Sequence, residues 1–141
     1  MAMTLYDGQM TVANHFDQTL SYVVVTSCCC KIQALSVTPI GTPVTQIWNS
    51  ASEGNFGTID FQFVTESDGY RNYWVISYAV NNTQFLSQRL SPVFDTSDQN
   101  QAGQVTINSD GTVTVKPAHI PDYQQGYTAS VLEASRAVRP S

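Results

Sequence analysis

Apolar and polar positions alternate most regularly between Thr58 and Phe63, where Ile59, Phe61 and Phe63 interleave with Thr58, Asp60 and Gln62. That two-residue period predicts a strand with one buried face. Glu66-Ser67-Asp68-Gly69 follows as a turn, with Gly free to take positive φ. Arg71 to Val80 then predicts a second strand, with Trp74, Ile76, Tyr78 and Val80 on one face and Tyr73, Val75 and Ala79 on the other. Apolar on both faces, it is expected to be central, or to hold one face against something other than water.

The same pattern extends along the chain. Gln9–Asn14 is a strand with Met10 and Val12 on one face, and Leu20–Thr26 is β-branched and aromatic. Cys28-Cys29-Cys30-Lys31 suggests a bend, with Ile32–Val37 as a further strand. Thr38–Pro43 reads as a breaker, Val44–Trp48 as a short strand and Asn49–Phe56 as a loop. Asn81–Gln84 predicts a hairpin turn from which Phe85–Leu90 pairs back. Ser91–Gly103 is the longest polar stretch, and such loops are often functional or mobile. Gln104–Asn108, Ser109-Asp110-Gly111 and Thr112–Lys116 form the clearest hairpin. Pro117–Gly126 is looped. Tyr127–Ala137 has helix-favouring Ala and Leu but also alternation; strand is the reading adopted, with a frayed tail from Ser135. Short strands punctuated by turns predict one all-β domain over residues 1–141, an antiparallel β-sandwich.

Composition narrows the partners. The chain has 141 residues, 42% hydrophobic and 12% charged, and a formal net charge of −5. Phosphate backbones require a basic face, so no nucleic-acid partner is expected. No basic cluster exists to recruit the chain to anionic lipid, which leaves neutral and zwitterionic surfaces open. Met1–Gly8 lacks the basic and apolar regions of a signal peptide, and no apolar run approaches a membrane span. The expected location is cytoplasmic, or outside the cell by a non-classical route, with peripheral membrane association. The Asn81-Asn82-Thr83 sequon is accordingly read as unused.

Reactive chemistry is not expected. The consecutive cysteines have no distant partner and no metal-ligand spacing, so they read as small buried residues. His15 and His119 each stand alone in turn-like surroundings without a nucleophile or orienting partner nearby. Glu53 and Asp60 read as surface carboxylates, and Asp95, Asp98 and Asp110 lack the calcium-loop pattern. No catalytic residue, metal or cofactor is assigned.

Recognition suits the aromatic content better. Trp48, Tyr70, Tyr73, Trp74 and Tyr78 gather around the central turn and strand. Tyr and Trp present an apolar face with a polar handle, useful against sugars, choline-type headgroups and membrane interfaces. Trp74 and Tyr78 also suit a core, whereas Tyr70 and Tyr73 beside Asp68-Gly69 and Arg71 are placed toward the surface.

Ala51-Ser52-Glu53-Gly54-Asn55-Phe56-Gly57-Thr58-Ile59-Asp60-Phe61 resembles the A-x-E-G-x-x-G-T-[FI]-D-[LF] stretch of the aegerolysin family. Asp68-Gly69 and Tyr73-Trp74 resemble that family's D-G turn and Y-W pair, and the strand leading to Asn14-His15 is similar to its first strand. The chain departs from the family at Trp74-Val75-Ile76-Ser77-Tyr78, where W-D-C-P-W is usual, and at the triple cysteine. The resemblance implies a β-sandwich that binds membrane lipid of the sphingolipid or sterol class. It also implies a possible perforin-like partner in a two-component cytolysin.

The expected function is therefore lipid binding through Tyr73 and Trp74, with Trp48 and Tyr70 behind them. Asp60 would face a headgroup cation and Arg71 its phosphate. A lectin using the same aromatics, and a non-catalytic self-assembling protein, are the alternatives.

Overall fold

A computed structural model describes residues 4–16, 18, 20–31, 39–51, 54–81 and 83–133. Its strands are β1 (Tyr6–Asn14), β2 (Leu20–Lys31), β3 (Pro39–Ala51), β4 (Gly54–Phe63), β5 (Tyr70–Val80), β6 (Thr83–Ser87), β7 (Ala102–Ile107), β8 (Val113–Lys116), β9 (Tyr127–Ala129) and β10 (Val131–Glu133). They form two five-stranded sheets, ordered β4-β1-β7-β8-β9 and β10-β6-β5-β2-β3. The fold is an all-β sandwich. All pairings between these strands are antiparallel except β1 with β7, which is parallel.

Alternation sets the two faces of each sheet. From the first sheet, Met10, Val12, Ile59, Phe61, Phe63, Val105, Ile107, Val113 and Val115 turn inward. Val23, Val25, Trp74, Ile76 and Tyr78 meet them from the second. At the centre Phe61 lies edge-on to Trp74, with centroids 5.1 Å apart. Phe94 packs on Phe61, Phe63 and Trp74 at 5.3, 5.0 and 6.1 Å. Such contacts add to the area each ring removes from water.

The structure departs from several of these expectations. The strands either side of Glu66–Gly69 do not pair: β4 edges one sheet and β5 is central in the other. Gly69 takes the expected left-handed conformation, φ 89°, and its N–H donates to Glu66 O at 2.9 Å. Buried Asn72 holds the crossing, accepting from Val64 N at 2.9 Å and donating to Val64 O at 2.7 Å.

The expected bend at Cys28–Lys31 and breaker over residues 39–43 are both strand. Ser27 pairs with Val44 and Cys29 with Ile40, so Gly41, Thr42 and Pro43 fall within an irregularity opposite Cys28. Proline is tolerated there because β3 is an edge strand and an irregular residue needs no ladder bond. The expected strand over residues 32–37, Thr38, Glu53 and the tail from Ser135 lie outside the described residues.

Ser91–Gly103 is better anchored than a polar loop: Phe94 is buried, and a 3-10 turn at Thr96–Asp98 starts from a reciprocal Asp95/Asp98 cap. The chain passes between sheets from β9 to β10 through Ser130 alone, and from β3 to β4 at the other edge. Switching sheets at both edges limits the open strand edge available for unwanted pairing.

Candidate functional site

The residues singled out by sequence do not form one patch. Trp74 is 1% exposed and central to the core, and its backbone exchanges two 2.9 Å bonds with Leu90. Tyr70, placed toward the surface by sequence, is 8% exposed. On β5 the even-numbered positions turn inward, so Tyr70, Asn72 and Trp74 share the buried face. Asp60 is exposed on the outer face of the first sheet, within 3.3 Å of Gln9 Nε2. Arg71 and Tyr73 project from the outer face of the second sheet. Asp60 and Arg71 therefore lie on opposite sides of the sandwich and do not converge on one headgroup. Trp48 pairs with Val23 through β3; its side chain lies outside the description.

What the outer face of the second sheet does gather is different. Arg89 places its guanidinium carbon 4.5 Å from the Tyr73 ring centroid, a cation–π contact. Arg71 Nε lies 3.4 Å from Glu66 Oε2 without hydrogen-bond alignment, so this is a charge contact only. Leu132 and Leu86 are directly opposite across β10 and β6, and Leu86 is opposite Ser77 on β5. Both leucines are exposed, at 68% and 42%. Val24 and Val75, both part-exposed, continue the apolar surface toward Tyr73. Ser77 lies four residues from Tyr73, about 13 Å along the strand. The face carries leucines and valines around Ser77, whose hydroxyl accepts from Gln84 Nε2 at 3.2 Å, with a Tyr–Arg pair at one end.

Sequence reasoning missed this surface, because Leu86 and Leu132 are distant in the chain and only β6–β10 pairing brings them together. It also missed the partner of His119. Buried Asp98, 21 residues earlier, accepts from His119 Nδ1 at 2.7 Å and from His119 N at 2.7 Å. Its other contact is Asp95 N, donating at 2.9 Å. Asp95, Asp98 and His119 bring potential ligand atoms within 4.8 Å of one another. Both Asp98 oxygens already accept N–H groups, so the arrangement is a hydrogen-bonded strut between two loops. Among the described residues no hydroxyl or thiol bonds to His119 Nε2.

No protein-family model matches the chain, and no curated protein matches it. Among the described residues no helix is long and apolar enough to cross a membrane.

Proposed function

We propose that this β-sandwich binds membrane lipid, without catalysis, through the outer face of its second sheet. The observation that carries the reading is the exposed Leu86–Leu132 pair on the face that bears Tyr73 and Arg89. Leucines enter the acyl boundary, while Tyr73 and Arg89 suit the headgroup layer, where an amphipathic ring and a cation meet phosphate. Arg71 belongs to the same face; Asp60, Tyr70 and Trp74 leave the proposed contact set. The resemblance to aegerolysins supports the same class of ligand. Sphingolipid- or sterol-containing membranes, and a perforin-like partner, are its finer form.

Burying two half-exposed leucines contributes roughly 2–4 kcal/mol, enough for reversible association only. Sedimentation with vesicles tests this, using phosphatidylcholine alone, with sphingomyelin and sterol, and with ceramide phosphoethanolamine. The wild-type protein pellets with at least one mixture, and L86S/L132S loses about tenfold or more in affinity while staying folded. Full pelleting by the double variant refutes the assignment. Concentration-dependent self-association that L86S/L132S abolishes, with no pelleting, assigns the face to a second copy of the chain instead.

A further inference from the structure

We infer that a polar cleft on the opposite side of the sandwich is a binding site for a neutral saccharide. The end of β1, the β7–β8 turn and the approach to β9 enclose an open cleft of about 670 Å³. That volume falls within the roughly 300–1,000 Å³ of small-molecule sites. His15 sits at one wall, placed there by its N–H bond to Ile107 O at 2.8 Å. Every lining side chain carries a polar group, so a ligand rich in hydroxyls finds partners around the cleft.

The lining is ordered by its own hydrogen bonds. Asn108 Nδ2 donates to Thr112 Oγ1 at 3.0 Å and to Thr114 Oγ1 at 2.9 Å. The Thr112 hydroxyl in turn donates a hydrogen bond to Asp110 Oδ1 at 2.6 Å, and its N–H donates to the same oxygen at 3.0 Å. Thr114, 3% exposed, has its hydroxyl 2.7 Å from that of Thr128. A buried hydroxyl needs an acceptor, and Thr114 already accepts from Asn108, so Thr114 donates to Thr128.

These directions fix what remains for a ligand. Both Asn108 amide hydrogens are taken, which leaves Oδ1 as an acceptor; Asp110 offers Oδ2; Thr128 offers its O–H; and the exposed Gln124 amide offers one donor group and one acceptor. A lining that offers both donors and acceptors matches the hydroxyls of a sugar, each of which both gives and receives. The Asp110 carboxylate strengthens a bond from a ligand hydroxyl and repels an anionic ligand. The saccharide is free in solution or the headgroup of a glycolipid. This site is independent of the lipid-binding face, which belongs to the other sheet.

The test is amide chemical-shift mapping of the whole protein with D-glucose, D-galactose, D-mannose and N-acetyl-D-glucosamine, and D-glucuronate as the anionic control. A parallel arm uses phosphatidylcholine vesicles with and without galactosylceramide, read by sedimentation. The result expected with free sugar is shifts confined to residues 108–114 and 124–128 for at least one neutral sugar and none for glucuronate. Retention only on galactosylceramide vesicles assigns the headgroup as the source. Thr128→Val and Gln124→Ala, both at exposed positions, weaken binding about tenfold each with unchanged circular dichroism, and L86S/L132S leaves sugar binding intact. No response in either arm overturns the proposal, as does binding that survives both cleft variants.

Discussion

Asp98 is 2% exposed, yet its two oxygens accept N–H groups from His119 twice and from Asp95 once. A buried acceptor that satisfies several donors is costly to delete, because each donor then loses its partner away from water. Asp98→Ala is expected to lower the unfolding free energy by roughly 2–4 kcal/mol in urea titrations. His119→Ala, whose ring is partly in water, costs less, and equal losses would mean that the ring supplies most of the strut. Two exposed carboxylates, Asp95 and Asp110, link stability to pH. The Ser97 hydroxyl holds Asp95 below the ordinary 3.8, and the Thr112 hydroxyl and N–H do the same for Asp110. A folded-state pKa below the unfolded value stabilises above the unfolded pKa, and that contribution disappears as pH falls through the folded one. Stability is therefore expected to decline as pH drops below about 4. Thr112→Val removes the hydroxyl that is the largest cause at Asp110, so the decline becomes shallower in thermal melts between pH 6 and 3. An unchanged slope would put the acid sensitivity elsewhere. Both carboxylates are solvent-exposed, so the difference is small.

Strand β7 shows how a single residue limits an element. A Cβ at Gly103 would collide with the Lys116 carbonyl oxygen and stand 2.9 Å from the Met10 side chain. Backbone cannot yield as a flexible side chain can, so Gly103→Ala is expected to cost about 3 kcal/mol or more. At Gly69, φ is +89° but a Cβ would meet nothing within 4 Å. Gly69→Ala therefore costs about 1 kcal/mol of backbone strain, and a larger loss there than at Gly103 would reverse this reading. Sequence could not rank them, since both are glycines near polar residues. What it does reveal is local: the alternation in β4, the QVTIN-SDG-TVTVK hairpin and the Asn81 turn each lie within a few residues. Pairing is not local, so the parallel β1–β7 contact and the separation of β4 from β5 were invisible. Period-two alternation groups Tyr70 with Trp74, but with apolar residues on both faces of β5 it does not say which face the core covers. The lipid-binding assignment of Trp74 and Tyr70 rests on aromatic clustering and a partial motif, neither of which reports burial. The cleft was half legible, because Asn108, Thr112 and Thr114 share one hairpin while His15 and Thr128 arrive from other strands.

The sandwich separates two surface chemistries. Asp7 and Asp60 lie on the outer face of the first sheet, which also bears the Asp110 cleft and Lys116. Arg71 and Arg89 lie with the second sheet, where Glu66 offsets Arg71 and leaves Arg89, among the described residues, as the cation beside the leucines. A net charge of −5 therefore does not describe the face proposed to meet a membrane. This polarity yields an orientation test. A cation near an anionic bilayer contributes about 1 kcal/mol, so Arg89→Glu, which removes one charge and adds its opposite, costs about 2 kcal/mol, or roughly thirtyfold. The loss should appear on vesicles containing phosphatidylserine and shrink at high salt, where screening shortens the reach of the charge. On pure phosphatidylcholine the Leu86–Leu132 contribution remains, so Arg89→Glu matters little there while L86S/L132S still weakens binding. Asp60→Asn, on the far side, should leave binding to either vesicle within about twofold, because its separation across the sandwich exceeds a Debye length of about 8 Å. If instead Asp60→Asn strengthens binding to phosphatidylserine vesicles as strongly as Arg89→Glu weakens it, the membrane meets the first sheet, and the leucine pair must have another occupant.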